Sequence, residues 1–154
     1  MIAAGQVMHA IATRLNGIPS GLCGTRNYTD RAWPLAEKDL PARKVVSPDE
    51  DIEPMTVHTP TPQEHKLQVE VKGYVQDTAE IDDAMHALAS EALIALFNPP
   101  AAPDALSAIA GKVQLSLRRI ERVMKTEGQA DLGLIQITLR AQFKTRSNAP
   151  DTLI

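Results

Sequence analysis

Four histidines, one cysteine, an acidic run and a basic cluster are the residues of this chain that could carry chemistry. His9, His58, His65 and His86 never fall at the i, i+4 spacing that lets one helix hold zinc, and no group of cysteines accompanies them. His58 and His65 flank a proline-rich segment, so only the fold could bring them together. The spacing therefore predicts no metal site. Cys23 would need a histidine beside it to act as a nucleophile, and the sequence places none there. It reads as a structural cysteine, and a lone cysteine excludes an internal disulfide. Gly21-Leu22-Cys23-Gly24-Thr25 has two glycines and a threonine but no lysine, which makes it a turn rather than a phosphate loop.

The charged groups are more suggestive. Asp49, Glu50, Asp51 and Glu53 lie in a proline-bounded stretch, Ser47 to Pro54, that reads as an acidic loop able to meet a cation or a basic partner, although such runs are ordinarily just solvated. Arg118, Arg119, Arg122 and Lys125 form the one basic cluster. On a strand they would divide between both faces, so some must be paired, exposed or in an interface, where arginine is enriched. Asp49, Glu50, Asp51, Glu53, Arg118, Arg119 and Arg122 are thus the candidate subunit-interface residues. With no nucleophile–base pair, metal set or phosphate loop, neither an enzyme nor a cofactor is expected.

The elements that position these groups are clearest from Lys66 to Asn98. Leu67, Val69, Val71 and Val75 alternate with polar residues, the period of a strand wet on one face. Asp77-Thr78-Ala79-Glu80 reads as a capping box opening a helix whose buried face is Ile81, Met85, Leu88, Ala92 and Leu96. Asn98-Pro99-Pro100 ends that helix because proline cannot continue it. Asp82 and Asp83, on its outer face, favour its N-terminal dipole.

Before this unit, residues 2 to 16 read as a helix with Ile2, Met8, Ile11, Ala12 and Leu15 on one face, closed by a left-handed Gly17. Residues 18–62 are loop-rich, with short strands expected over 21–28 and 40–46, the second at an edge because Pro41 cannot donate to a ladder. His58 to Glu64 reads as further loop. After the central helix, Asp104 is placed to cap a short helix over Ala105 to Gly111. Val113 to Leu117 alternates as a strand, the frame slips at Arg118-Arg119, and Ile120 becomes the next inward residue, which is the signature of a β-bulge. The chain turns at 125–131 and returns with Ile135, Ile137, Leu139, Ala141 and Phe143 on one face. Residues 147–154 read as a frayed tail.

That order predicts an α+β fold: a single antiparallel-rich mixed β-sheet with helices packed mainly on one face, in one domain spanning 1–154. At 154 residues and 44% hydrophobic composition the chain can bury a core without metal or disulfides. Aromatic residues make up only 3%, so the core must be aliphatic and base-stacking on single strands is disfavoured. A net charge of −3 gives no case for binding DNA or an acidic membrane through the whole protein. No apolar run approaches the ~20 residues that cross a bilayer, and the N-terminus lacks the pattern of a signal peptide. The expected location is the cytoplasm or something assembled there.

From Leu40 to Arg146 the order of elements resembles the tail terminator proteins of long-tailed phages, the minor tail protein U type. The features that carry the resemblance are the Asp39-Leu40-Pro41-Ala42 lead-in to a strand and acidic stretch, and Leu67-Gln68-Val69-Glu70-Val71 running into a helix near Asp77. To these are added the short helix over Leu106-Ser107-Ala108-Ile109-Ala110, the strand bearing Arg118-Arg119-Ile120, and the closing Leu132-Gly133-Leu134-Ile135-Gln136-Ile137-Thr138-Leu139. The resemblance implies a hexameric ring that caps the tail tube and stops its polymerisation. It also implies the major tail tube protein and a head completion or connector protein as partners, and a place in the virion tail after assembly in the host cytoplasm. No membrane and no sequence-specific nucleic acid are implied, and no catalytic residue is carried over. A head–tail connector or neck protein is the alternative within the same class. A small-molecule or cation-binding domain using the acidic run is the alternative from another class.

Overall fold

The computed structural model describes residues 2–29, 40–57, 59–77, 80–127 and 130–154. In chain order the elements are α1 (Ala3–Asn16), β1 (Asn27–Tyr28), β2 (Ala42–Pro54), β3 (Pro62–Asp77), α2 (Ile81–Phe97), α3 (Ala105–Ile109), β4 (Gln114–Glu127) and β5 (Ala130–Arg146). The strands form one sheet in the order β1-β2-β3-β5-β4, antiparallel throughout except for the parallel β1–β2 pair. The fold is α+β, as the sequence predicts, and its three helices gather on one face of the sheet.

The covered face is built by the alternating strands. His65, Leu67, Val69, Val71, Gly73 and Val75 of β3 lie in register with Phe143, Ala141, Leu139, Ile137, Ile135 and Gly133 of β5, and the apolar members of both sets are buried. Met85, Leu88, Ala92 and Leu96 of α2 close over them, with Ile81 partly buried at the helix start. Two glycines set how closely α2 can approach. A Cβ on Gly73 would meet Ile135 at 3.0 Å and Leu88 at 3.2 Å, and one on Gly133 would meet the Met85 sulfur at 2.8 Å. Those strand positions have no room for a side chain because the helix uses it.

Several expectations are corrected. Glu80 stands at the N-cap of α2, one residue before Ile81, rather than at the third helical position of a capping box; β3 runs on to Asp77, and Thr78 and Ala79 lie outside the described residues. Gly17 closes α1 with φ −87°, not left-handed, and its N–H donates to the Thr13 and Arg14 carbonyls as the chain tightens into a turn. The buried face of α1 centres on Ala4, Val7, Ile11 and Leu15, while Ile2 is exposed; α1 is covered on more than one side, by α2, α3 and the sheet edge. Only Asn27–Tyr28 of the segment 21–28 is strand, and it lies outside β2, so β2 is second in the sheet at Arg43 and Lys44. The expected acidic loop is the second half of β2, and β3 begins at Pro62 within the expected loop over 58–64. His58 lies outside the described residues.

The tail is docked rather than frayed. Ala3 N–H, an orphan donor of α1 that no side chain caps, donates to the Pro150 carbonyl at 3.0 Å, and the Gln6 side-chain amide donates to the Asp151 carbonyl at 2.7 Å. Leu153 is buried in the core, and Ile154 N–H donates to the Lys144 carbonyl.

Candidate functional site

Residue types along β2 decide where its carboxylates point. Val45 faces the helices opposite Val71, and then the register breaks between Val46 and Asp49. Ser47 and Pro48 occupy the break, and Ser47 Oγ donates to the Gln68 carbonyl at 2.8 Å. Pro48 has no N–H for a ladder, so a bulge is where a strand tolerates it. The extra residue resets the alternation. Beyond the bulge Asp49 pairs with Gln68, Asp51 with Lys66 and Glu53 with Glu64 on the uncovered face, while Glu50 and Ile52 turn to the helix side.

Glu50 is therefore separated from the other acids. Its Oε1 lies 2.5 Å from His65 Nδ1, and His65 Nε2 lies 2.8 Å from Thr145 Oγ1. The imidazole stacks on Phe143, its register partner on β5, at 4.7 Å between centroids and 12° between planes. Carboxylate, imidazole and hydroxyl in line are the parts of an activated nucleophile. Thr145, however, is 0% exposed and His65 is 6% exposed, so no substrate reaches the hydroxyl. The array is a satisfied polar inlay that fixes the ends of β2, β3 and β5 to one another.

On β4 the bulge falls between Leu117 and Arg119, as the frame slip predicts, and Ile120 resumes the inward row opposite Ile137. Arg118, Arg119 and Arg122 are all exposed. Arg119 Nε is 2.7 Å from Glu121 Oε1 with both side chains largely in water, an ion pair worth little. Arg118 turns over the uncovered face, where it shares a shallow depression of about 140 Å³ with Asp49, Asp51, Lys66, Thr138 and Arg140. The acids, expected on a loop, and Arg118, expected on a strand, thus stand on one face of the same subunit. Among the described residues no ion pair joins Asp49 or Asp51 to Lys66, Arg118 or Arg140.

Three features were not foreseen from the sequence. Arg43 is 1% exposed inside the sheet, where it donates to the Leu88 carbonyl and Glu91, both at 2.9 Å, and to Asn27 at 3.2 Å. Arg14 is buried on α1 and donates through Nε and Nη2 to Asp104 at 3.0 and 2.9 Å, while Asp104 also caps α3 by accepting from Ser107 N–H. The Arg14 guanidinium holds the Asp104 carboxyl well below the usual carboxylate range. Arg43 falls two residues before Val45 on the inward row of its strand, a spacing the sequence carries, whereas Arg14 reads with Gln6, Thr13 and Asn16 as the polar side of its helix and is buried because α1 is covered on more than one side. The third feature is apolar. Ile94 and Phe97 of α2 are 61% and 45% exposed beside Leu117 of β4 at 44%, and an open groove of about 910 Å³ lies between the end of α1, α2 and the Pro99–Pro103 spacer.

The remaining chemical candidates stay apart. Cys23 is fully buried, and burial raises its thiol above the ordinary value, the opposite of an activated cysteine. His9 and His86 are exposed on α1 and α2. Among the described residues no group of three or more histidines, cysteines or carboxylates could hold a metal ion, and no helix is long and apolar enough to cross a membrane.

No protein-family model matches the chain, and no curated protein matches it. A solved structure does. A chain of the virion of a native gene transfer agent (GTA) particle is similar to this one with a TM-score of 0.54 at 18% sequence identity, covering 92% of this chain and 97% of that chain. At that identity the likeness is one of fold, and it extends over nearly the whole of both chains.

Proposed function

We propose that this chain is a non-enzymatic structural protein of a phage-like virion, and that within it the chain forms a ring that caps the tail tube. The observation that carries the reading is the near full-length fold likeness to a chain of the gene transfer agent virion. The order of elements that resembles tail terminators supports its finer part. A capping subunit must be rigid, must present different surfaces on its two sides, and must repeat around a closed axis through a heterologous contact. This molecule offers a helix-covered face, an uncovered face rich in charged and polar residues, and two sheet edges of opposite charge: Asp49, Glu50, Asp51 and Glu53 at β2, and Arg118, Arg119 and Arg122 at β4. In this reading those residues meet between neighbouring copies. The ring is six-membered, and its other partners are the major tail tube protein on one side and a head completion or connector protein on the other.

Electron microscopy of particles lacking this chain tests the reading. Tails of uncontrolled length, without heads, are expected. Tails of normal length that fail to join heads overturn the capping role and favour a connector.

A further inference from the structure

We infer that the sheet is continued from one copy to the next by main-chain pairing of β4 with the β2 edge of a second copy. The inference deepens the ring reading and rests on it. β4 is the last strand of the sheet, and among the described residues nothing pairs with its outer side. β1 pairs with β2 at Arg43 and Lys44, and among the described residues nothing pairs with the outer side of the Asp49–Glu53 stretch on the other edge. Open edges are templates for strand addition.

Bulges and charges are also how proteins defend an edge. Here the charges defend selectively. Two β2 edges would set carboxylate against carboxylate, and two β4 edges arginine against arginine. β2 against β4 sets the acidic run against the arginines, whereas a β4–β4 contact has only Glu121 to offset them. The pattern thus favours the head-to-tail pairing over the isologous ones, and head-to-tail contacts are the kind that close rings. Between its charges β4 also exposes apolar groups: Leu117, Val123 and Met124 are 44%, 44% and 57% exposed.

The two faces match as well as the charges. β2 and β4 run in opposite directions within the sheet, so a copy rotated about an axis along the strands presents its β2 antiparallel to β4. Ile52, 50% exposed on the helix side of β2, then meets the exposed patch of Leu117, Ile94 and Phe97 on the helix side of the next copy. Setting Ile52 opposite Leu117 sets Asp51 opposite Arg118 at the bulge, on the uncovered side. At these two positions an apolar pair meets on one face and a pair of opposite charges on the other.

The test is a cysteine pair. Within one copy, residues 52 and 117 stand on opposite edges with β3 and β5 between them. That is three strand spacings, roughly 14 Å, well beyond the roughly 7 Å that a disulfide spans. Cys23 is buried and does not compete. The Ile52→Cys, Leu117→Cys double variant and both single variants are oxidised mildly and run on non-reducing gels, with native mass spectrometry of the unmodified chain alongside. The double variant is expected to give a ladder that stops at the ring mass, and the single variants no covalent dimer. A covalent dimer from either single variant overturns the inference, because it reports like edges meeting. A native ring without a ladder overturns edge pairing and leaves the ring reading standing. A ladder without a top supports edge pairing and removes the ring. A chain that stays monomeric and unlinked removes both.

Discussion

Strands β3 and β5 lie side by side along all 16 residues of β3 without a break in register, whereas the strands outside them, β2 and β4, each break once. The middle pair alternates cleanly because each strand is held on both sides and one of its faces is roofed by helix. Among the described residues the flanking strands are held on one side along most of their length, β1 pairing with β2 only at Arg43 and Lys44, so their residues answer to other demands. Pro48 sits in one bulge and Arg118 in the other, and both runs of like charge lie just beyond or within these breaks. The middle of the sheet is specified for stability, and its margins are free to be specified for contact.

The sharpest way to break that distinction is at Val69, 0% exposed beneath α2. Val69→Asp buries an unpaired charge, which is expected to cost roughly 4 kcal/mol or more and to unfold the domain. Circular dichroism melts check it; a variant that folds normally would put the helix-covered face elsewhere.

A smaller effect is expected where α1 is tied to α3. The Asp104 carboxyl, held low by Arg14, contributes stability that is present above the unfolded carboxylate value of about 3.9. That stability is lost as pH falls through the lower, folded value. Asp104→Asn keeps a capping side chain but loses the charge, and is expected to cost roughly 1–3 kcal/mol at pH 7. Urea titrations of both proteins should converge as pH drops below about 4; a gap that persists unchanged there would mean the charge contributes little.

The smallest effect belongs to the uncovered face. Glu70 lies opposite Thr138 and accepts from Gln136 Nε2 at 2.6 Å in a partly exposed position. Glu70→Ala is expected to shift stability by no more than about 1 kcal/mol. A loss in thermal melts comparable with that of Val69→Asp would show that the two faces are not as different as their burial makes them.

Much of this architecture is legible in residue spacing. Ile135 to Phe143 announce their strand because every second residue must enter a core, and the frame slip at Arg118 announces a bulge because Ile120 must still find Ile137. Asp104 before Ala105 announces a cap. Where burial is one-sided, the side chains themselves record it. The second half of β2 left no such record. Only Ile52 among Asp49 to Glu53 is apolar, so the run reads as loop, and it becomes strand because β3 is long enough to supply a ladder. The tail likewise reads as loose, since what orders it is the open end of α1, at the far end of the chain.

The sequence by itself determined the α+β class, the face that α2 covers, and the existence of one acidic and one basic cluster, because hydrophobic period and local charge are properties of neighbouring residues. Tertiary structure alone decided that Glu50 leaves its neighbours to bind His65, and that Asp49, Asp51 and Arg118 share one face. It also decided that the acids and the arginines end on opposite edges. Those outcomes depend on a one-residue bulge and on a strand order that pairs Val69 with Leu139 across the middle of the sheet, and no local pattern carries that information.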